Sequence, residues 1–234
     1  MNVKTVVAAV DSTAAAQPVL DTALGIGRLT AASVEAVHVT GHDGVETPSE
    51  LASRRDIPLR FLSGPVVPGL LSAVAAREVI AAVLGARATP FGRRPVGSTA
   101  LAVIRAADKP IVVVPPDVAG ARAQPFHRLL VPLEGNDASS RAVLDGLVPL
   151  LADDVALIVL HVFTPDTVPR FLDRPSRDVS TLSREFVARH CPPAARAELR
   201  TGSVSGEVDV LCREVAADLI VLSWSQTGDP GRAT

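Results

Sequence analysis

The chain has 234 residues, 47% of them hydrophobic and 21% charged, with a net charge of -2. That balance describes a globular chain with ample core and excludes a broad basic footprint for nucleic acid, since Arg54-Arg55 and Arg93-Arg94 are too short to count as tracts. The apolar run Val6–Val10 ends at Asp11, too short for a leader or a membrane span, so the expected setting is cytoplasmic, with no membrane partner. The two cysteines, Cys191 and Cys212, lack metal-ligand spacing and read as reduced, mostly buried thiols.

In chain order, Val3–Val10 is a nearly continuous apolar run, as expected of a strand covered on both faces. Ser12-Thr13 offers an N-cap, and Val19, Leu20, Ala23, Leu24 and Gly27 recur at helical spacing. Val34–Val39 is a second strand, Ser49–Arg55 a short helix and Leu59–Leu62 a third strand. A helix is expected over Leu70–Ile80, a fourth strand over Ala82–Leu84, a helix over Thr99–Ala107 and a fifth strand over Ile111–Val114. Alternating strands and helices imply βαβ units on a parallel sheet with right-handed crossovers.

The pattern then repeats. "VVAAVDSTAAAQPVLD" (Val6–Asp21) returns as "LLVPLEGNDASSRAVLD" (Leu129–Asp145), with Gly135 as one extra residue, and "EAVHV" (Glu35–Val39) answers "IVLHV" (Ile158–Val162). A period near half the chain means two similar domains. The expected division is 1–116, a linker at 117–125 rich in Pro, Gly and Ala, and 126–234. The second copy reaches the equivalent of a fourth strand, Leu219–Ser223, and shows no counterpart of the last helix and strand. That leaves an apolar edge, which invites pairing.

In a doubly wound sheet, ligands collect at the carboxyl ends of the strands where strand order reverses. Asp11, Val39 and the stretch "GARATPFGRRPVGST" (Gly85–Thr99) all fall there. A loop entering a helix presents unpaired N–H groups and a positive dipole end, which favour phosphate. Gly97 allows close approach, Ser98 and Thr99 carry hydroxyls that either donate to phosphate or cap the helix, and Arg87, Arg93 and Arg94 suit bidentate pairing. The plain structural alternative is that Ser98 only caps its helix, the arginines are solvated, and Asp11 only caps the first helix.

These segments carry a family resemblance. "VLGARA" followed by "VGSTALAVIRAADKPIVVVPP" resembles the closing segment of the universal stress protein family, and "LLVPLEGN" with "ADLIVLSWSQ" resembles the same family's first and fourth strands. The resemblance implies two Rossmann-like α/β domains of the adenine nucleotide alpha hydrolase-like type. Each has a mostly parallel five-stranded sheet flanked by helices, the second lacking its last helix and strand. It implies ATP or another adenine nucleotide as ligand, with Mg accompanying ATP. The family's Gly-x-x-Gly, nine residues, Gly-Ser/Thr motif maps Gly85 to the first glycine and Gly97-Ser98 to the last pair. Ala88 replaces the second glycine, and eight residues rather than nine precede Gly97. The same mapping puts Ala9 and Asp11 at the end of strand one, with Asp11 at the adenosine end, and Val39 and Leu84 at the ends of strands two and four.

In the second copy Glu134 replaces the aspartate, and Trp224-Ser225-Gln226 stands where the glycine motif would begin, so no nucleotide is expected there. His38 and His161, on equivalent strands, read as structural. With no catalytic triad, Walker lysine or paired carboxylates, at most weak ATP hydrolysis is expected. The resemblance thus points to a stress-linked regulator working through nucleotide occupancy, with domain pairing or a homodimer as its assembly. The competing class is a dimerisation scaffold of the same fold that binds no nucleotide.

Overall fold

In a computed structural model, residues 3–13, 15–40, 48–86, 96–115, 125–148, 154–164 and 179–223 are described. The chain divides into two compact units, Met1–Pro125 and Phe126–Thr234.

The first unit runs β1 (Thr5–Ala9), α1 (Ala16–Thr30), β2 (Ser33–Val39), α2 (Pro48–Ser53), β3 (Leu59–Leu62), α3 (Val66–Val74), β4 (Val79–Gly85), α4 (Ser98–Ala106) and β5 (Ile111–Val114). The strands form one sheet in the order β3-β2-β1-β4-β5, and every pairing is parallel. β1 is buried at Val6, Val7 and Ala8 because helices cover both faces. Val19, Leu20 and Ala23 of α1 are buried, on the helix that packs against β1 and β4. Leu70, Ala73 and Val74 of α3 join Ala100 and Val103 of α4 in one core layer with Val7, Val37 and Leu84. Pro18 and Pro68 stand in the first turns of α1 and α3, where a missing N–H costs no helical hydrogen bond.

The helix expected over Leu70–Ile80 is corrected. α3 starts earlier, at Val66, and ends at Val74. Arg77 and Glu78 are exposed in a turn closed by Val79 N–H donating to the Ala76 carbonyl at 3.0 Å. Val79 and Ile80 open β4 instead of closing the helix. A β-branched pair running into an apolar stretch suits a strand buried on both faces, and that packing overrides the helical spacing upstream. β3 and β5 fall where their apolar runs predict.

The second unit runs β6 (Arg128–Pro132), α5 (Asp137–Leu147), β7 (Ala156–Phe163), α6 (Val179–His190), β8 (Arg196–Thr201), α7 (Val204–Glu214) and β9 (Leu219–Ile220). Its sheet has four parallel strands in the order β8-β7-β6-β9, the first unit's order without its last strand. Leu130, Ile158, Leu160, Val162 and Leu211 form its core cluster. The strand expected over Leu219–Ser223 is shorter, because β9 pairs only with β6, at Leu129↔Leu219 and Leu130↔Ile220. Ile220 and Leu222 are 39% and 51% exposed on that edge. The expected linker at 117–125 lies, apart from Pro125, outside the described residues.

Candidate functional site

The strand order of the first unit fixes where a site can be. From β1 the chain steps outward through β2 to β3, then crosses back to β4 and steps outward through β5. The reversal therefore lies between β1 and β4, and the carboxyl ends of these strands are where sheets of this build take up ligands. Ala9 is paired there with Leu84 and with Val37. Asp11 follows β1 by two residues, Val39 ends β2 two residues beyond Val37, and Gly85 ends β4 beside Val114. The topology thus brings Ala9, Asp11, Val39, Leu84 and Gly85 to one edge of the sheet. Because α4 follows β4 through the crossover loop, its N-terminal residues Gly97, Ser98 and Thr99 open onto the same edge. Arg87 and Ala88, with Arg93 and Arg94, lie outside the described residues.

Asp11 does not cap the first helix. Its Oδ1 accepts from Thr13 N at 3.0 Å and Thr13 Oγ1 at 2.6 Å, while the N-cap of α1 is Ala15, without a side-chain cap. The Ser12-Thr13 expectation holds in part: Thr13 Oγ1 accepts from Ala15 N–H at 3.3 Å and its carbonyl from Ala16 N–H at 3.0 Å, leading the chain into α1 from the Asx-type turn, while the N-cap position itself is Ala15. Behind this turn, buried His38 donates from Nδ1 to the Val10 carbonyl at 2.9 Å. That bond ties the end of β1 to β2 and holds the turn in place, a contact the sequence signalled only through the repeated histidine.

Ser98 is likewise not the cap of α4. Gly97 is the N-cap, with φ -64° and ψ 156°, and makes no side-chain cap hydrogen bond. Exposed Ser98 and Thr99 occupy the first two helical positions. The first-turn amides thus keep their donor capacity and the positive end of the helix dipole.

Gly85 lies in extended strand with no left-handed φ. A Cβ built on it would meet only Val19 Cγ2, at 3.5 Å, an ordinary contact. Neither backbone strain nor packing among the described residues demands glycine there.

The equivalent edge of the second unit is built differently. The extra residue Gly135 has φ +84°, and a Cβ there would meet the His161 ring at 3.5 Å and Phe186 at 3.6 Å. Glycine is required by conformation at that position. Asn136 then caps α5, its Oδ1 accepting from Ala138 N at 2.9 Å, so the helix start that corresponds to α1 is closed by a side chain. His161 Nδ1 donates to the Leu133 carbonyl at 2.8 Å, the counterpart of the His38 bond, and its ring stacks on Phe186 at 4.3 Å. Burial lowers the His161 pKa below its ordinary value, the Leu133 bond opposing this and nearby His190 adding to it. Glu134 is exposed, and Trp224-Ser225-Gln226 lies outside the described residues.

Among the described residues no cluster of three or more His, Cys, Asp or Glu side chains is placed to hold a metal ion, and no helix is long and apolar enough to cross a membrane. A Mg ion arriving with ATP would be held chiefly by phosphate oxygens and water, with Asp11 the one carboxylate among the expected site residues.

Two parallel sheets flanked by helices, the first with its switch point between β1 and β4, define a Rossmann-like α/β fold in two units. Residues 125–234 match the model of the universal stress protein family, so the second unit is similar to that family. The chain is similar in fold to a universal stress protein from Archaeoglobus fulgidus DSM 4304, with 14% identity over 96% of this chain and 86% of that one and a TM-score of 0.61. A putative universal stress protein from Pseudomonas aeruginosa UCBPP-PA14 is similar with 12% identity, over 98% of this chain and 85% of that one, at a TM-score of 0.67. The universal stress protein from Archaeoglobus fulgidus in complex with dAMP shares 21% identity over 48% of this chain and 98% of its own. Its TM-score of 0.37 is too low to carry an argument for this chain. No curated protein matches the chain.

Proposed function

We propose that the first unit binds an adenine nucleotide at the carboxyl edge of β1, β2 and β4, and that the chain acts as a stress-linked regulator through nucleotide occupancy. The carrying observation is the start of α4, where Gly97 leaves the first turn without a side-chain cap at the sheet's switch point. Gly85 supports it, because nothing in the local packing calls for a glycine there, and a ligand approaching the backbone does.

In this reading phosphates lie against the amides of Ser98 and Thr99; the expected contacts of Arg87 and Ala88 fall outside the described residues. Asp11, oriented by Thr13, faces the ribose. The backbone at Val39 meets adenine, and Ala9 and Leu84 floor the site. ATP brings its own Mg. Among the described residues at this edge no base is placed beyond Asp11, and slow hydrolysis at most is expected. Calorimetric titration of the full chain with ATP, ADP and AMP tests the proposal: heat of binding is expected, and Gly97→Val should abolish it.

The scaffold reading has one observation in its favour, the exposed Ile220 and Leu222 on the β9 edge. It requires self-association, or pairing of the two units, without nucleotide. Sedimentation of the chain with and without ATP, beside the calorimetry, separates the two.

A further inference from the structure

A groove of about 420 Å³ runs between α5 and the end of α6 in the second unit. It lies on the helical face of the second unit. Among the described residues two guanidiniums, Arg141 and Arg189, line it against a single carboxylate, Asp145, a balance that favours an anion. Leu144 and Val148 of α5 and Pro192 beyond α6 supply an apolar stretch beside those charges. The groove also holds a defect that points to a ligand. Ser140, 2% exposed, lines it, and the Ser140 hydroxyl oxygen is buried without a hydrogen-bond partner. A buried polar atom left unsatisfied costs about 1–3 kcal/mol, and a folded chain keeps few of them.

We propose that this groove is a second ligand site, for a small amphipathic organic anion. Its acidic head pairs with Arg141 and Arg189, which present planar donor forks to a carboxylate or a phosphate. Its apolar body lies along Leu144, Val148 and Pro192, and a polar atom of the ligand completes the hydroxyl of Ser140. The mixture of an apolar wall and a few placed polar groups is the usual make-up of small-molecule sites, and the volume falls in their range. Buried His190, its ring tilted against Phe186 with centroids 4.9 Å apart, forms part of the wall.

Cys191 lines the groove and Cys212 does not, which provides a readout and an internal control. Burial raises the Cys191 pKa, so its thiol reacts slowly and its alkylation can be followed by peptide mass spectrometry. The full chain is alkylated in the presence of octanoate, phenyl phosphate or 1-octanol. Either anion should slow Cys191 by about threefold or more once it exceeds its Kd severalfold, leave Cys212 unchanged, and outperform 1-octanol. The stronger anion then identifies the head group as carboxylate or phosphate. Protection should vanish in the Arg141→Gln/Arg189→Gln double variant. Ser140→Ala should raise the melting temperature of the free protein, by deleting the unpaired hydroxyl, and weaken protection. The proposal is overturned if the anions do no better than 1-octanol, if both cysteines slow equally, or if protection survives in the double variant.

Discussion

Gly85→Ala separates the needs of the fold from the needs of a ligand. The added methyl has one neighbour, Val19 Cγ2 at 3.5 Å, and the backbone is not left-handed. The native conformation therefore accepts alanine without strain. Replacing glycine by alanine at such a position stabilises by about 0.4–1 kcal/mol through the unfolded chain. Urea denaturation should show a midpoint unchanged or slightly raised. At the ligand the same methyl stands where backbone and nucleotide would approach, and overpacking of that size costs about 1–3 kcal/mol. With tenfold in affinity per 1.4 kcal/mol, the ATP Kd should rise by roughly five- to a hundred-fold. Calorimetry on the same preparation measures it. Wild-type affinity in Gly85→Ala would mean that no ligand approaches this glycine, and a loss of stability beyond about 1 kcal/mol would mean that the fold itself demands it.

Other perturbations report on what holds each unit in shape. Asp21 and Arg55 join α1 to the end of α2 through Nε–Oδ1 at 2.7 Å and Nη2–Oδ2 at 3.1 Å, with side chains 11% and 15% exposed. Asp21→Asn should cost about 1.5–3 kcal/mol, as expected for hydrogen bonds to charged groups away from solvent, and an unchanged urea midpoint would refute that. Gly135→Val should destabilise the second unit by more than about 1 kcal/mol, from its φ of +84° and the ring contacts around it, while ATP affinity stays at the wild-type value. Burial lowers the folded pKa of His161 below 6.5. The unfolded chain therefore takes up its proton first, and stability present above pH 6.5 is lost as pH falls through the folded pKa. Urea midpoints measured between about pH 8 and about pH 5 should show this acid limb, and His161→Gln should flatten it.

Strand positions were legible wherever an apolar run stood between turn residues, as at Leu59–Leu62 and Ile111–Val114. The repeated histidines also read correctly, since His38 and His161 each bond a carbonyl at the end of the first strand of their unit. Boundaries set by tertiary packing were less legible: Val79 and Ile80 satisfy a helical spacing, but the sheet offers them burial beside β1. The details of the site were hidden for a related reason. Ser12, Thr13 and Ser98 are all good cap residues, and which residue caps depends on where the chain turns after each strand. Asp11 turns back on Thr13 and Gly97 takes the cap of α4, so both hydroxyl-rich starts lie one or more residues away from their apparent roles. The left-handed backbone of Gly135 showed in the sequence only as a length mismatch between the two copies.

The central claim is a place as much as a ligand. Titration of the isotopically labelled full chain with Mg-ATP, followed by amide NMR, reads both at once. The account predicts saturable shifts concentrated at Asp11, Val39, Gly85, Gly97, Ser98 and Thr99. The absence of shifts at millimolar ATP, or shifts confined to residues 126–234, would contradict it.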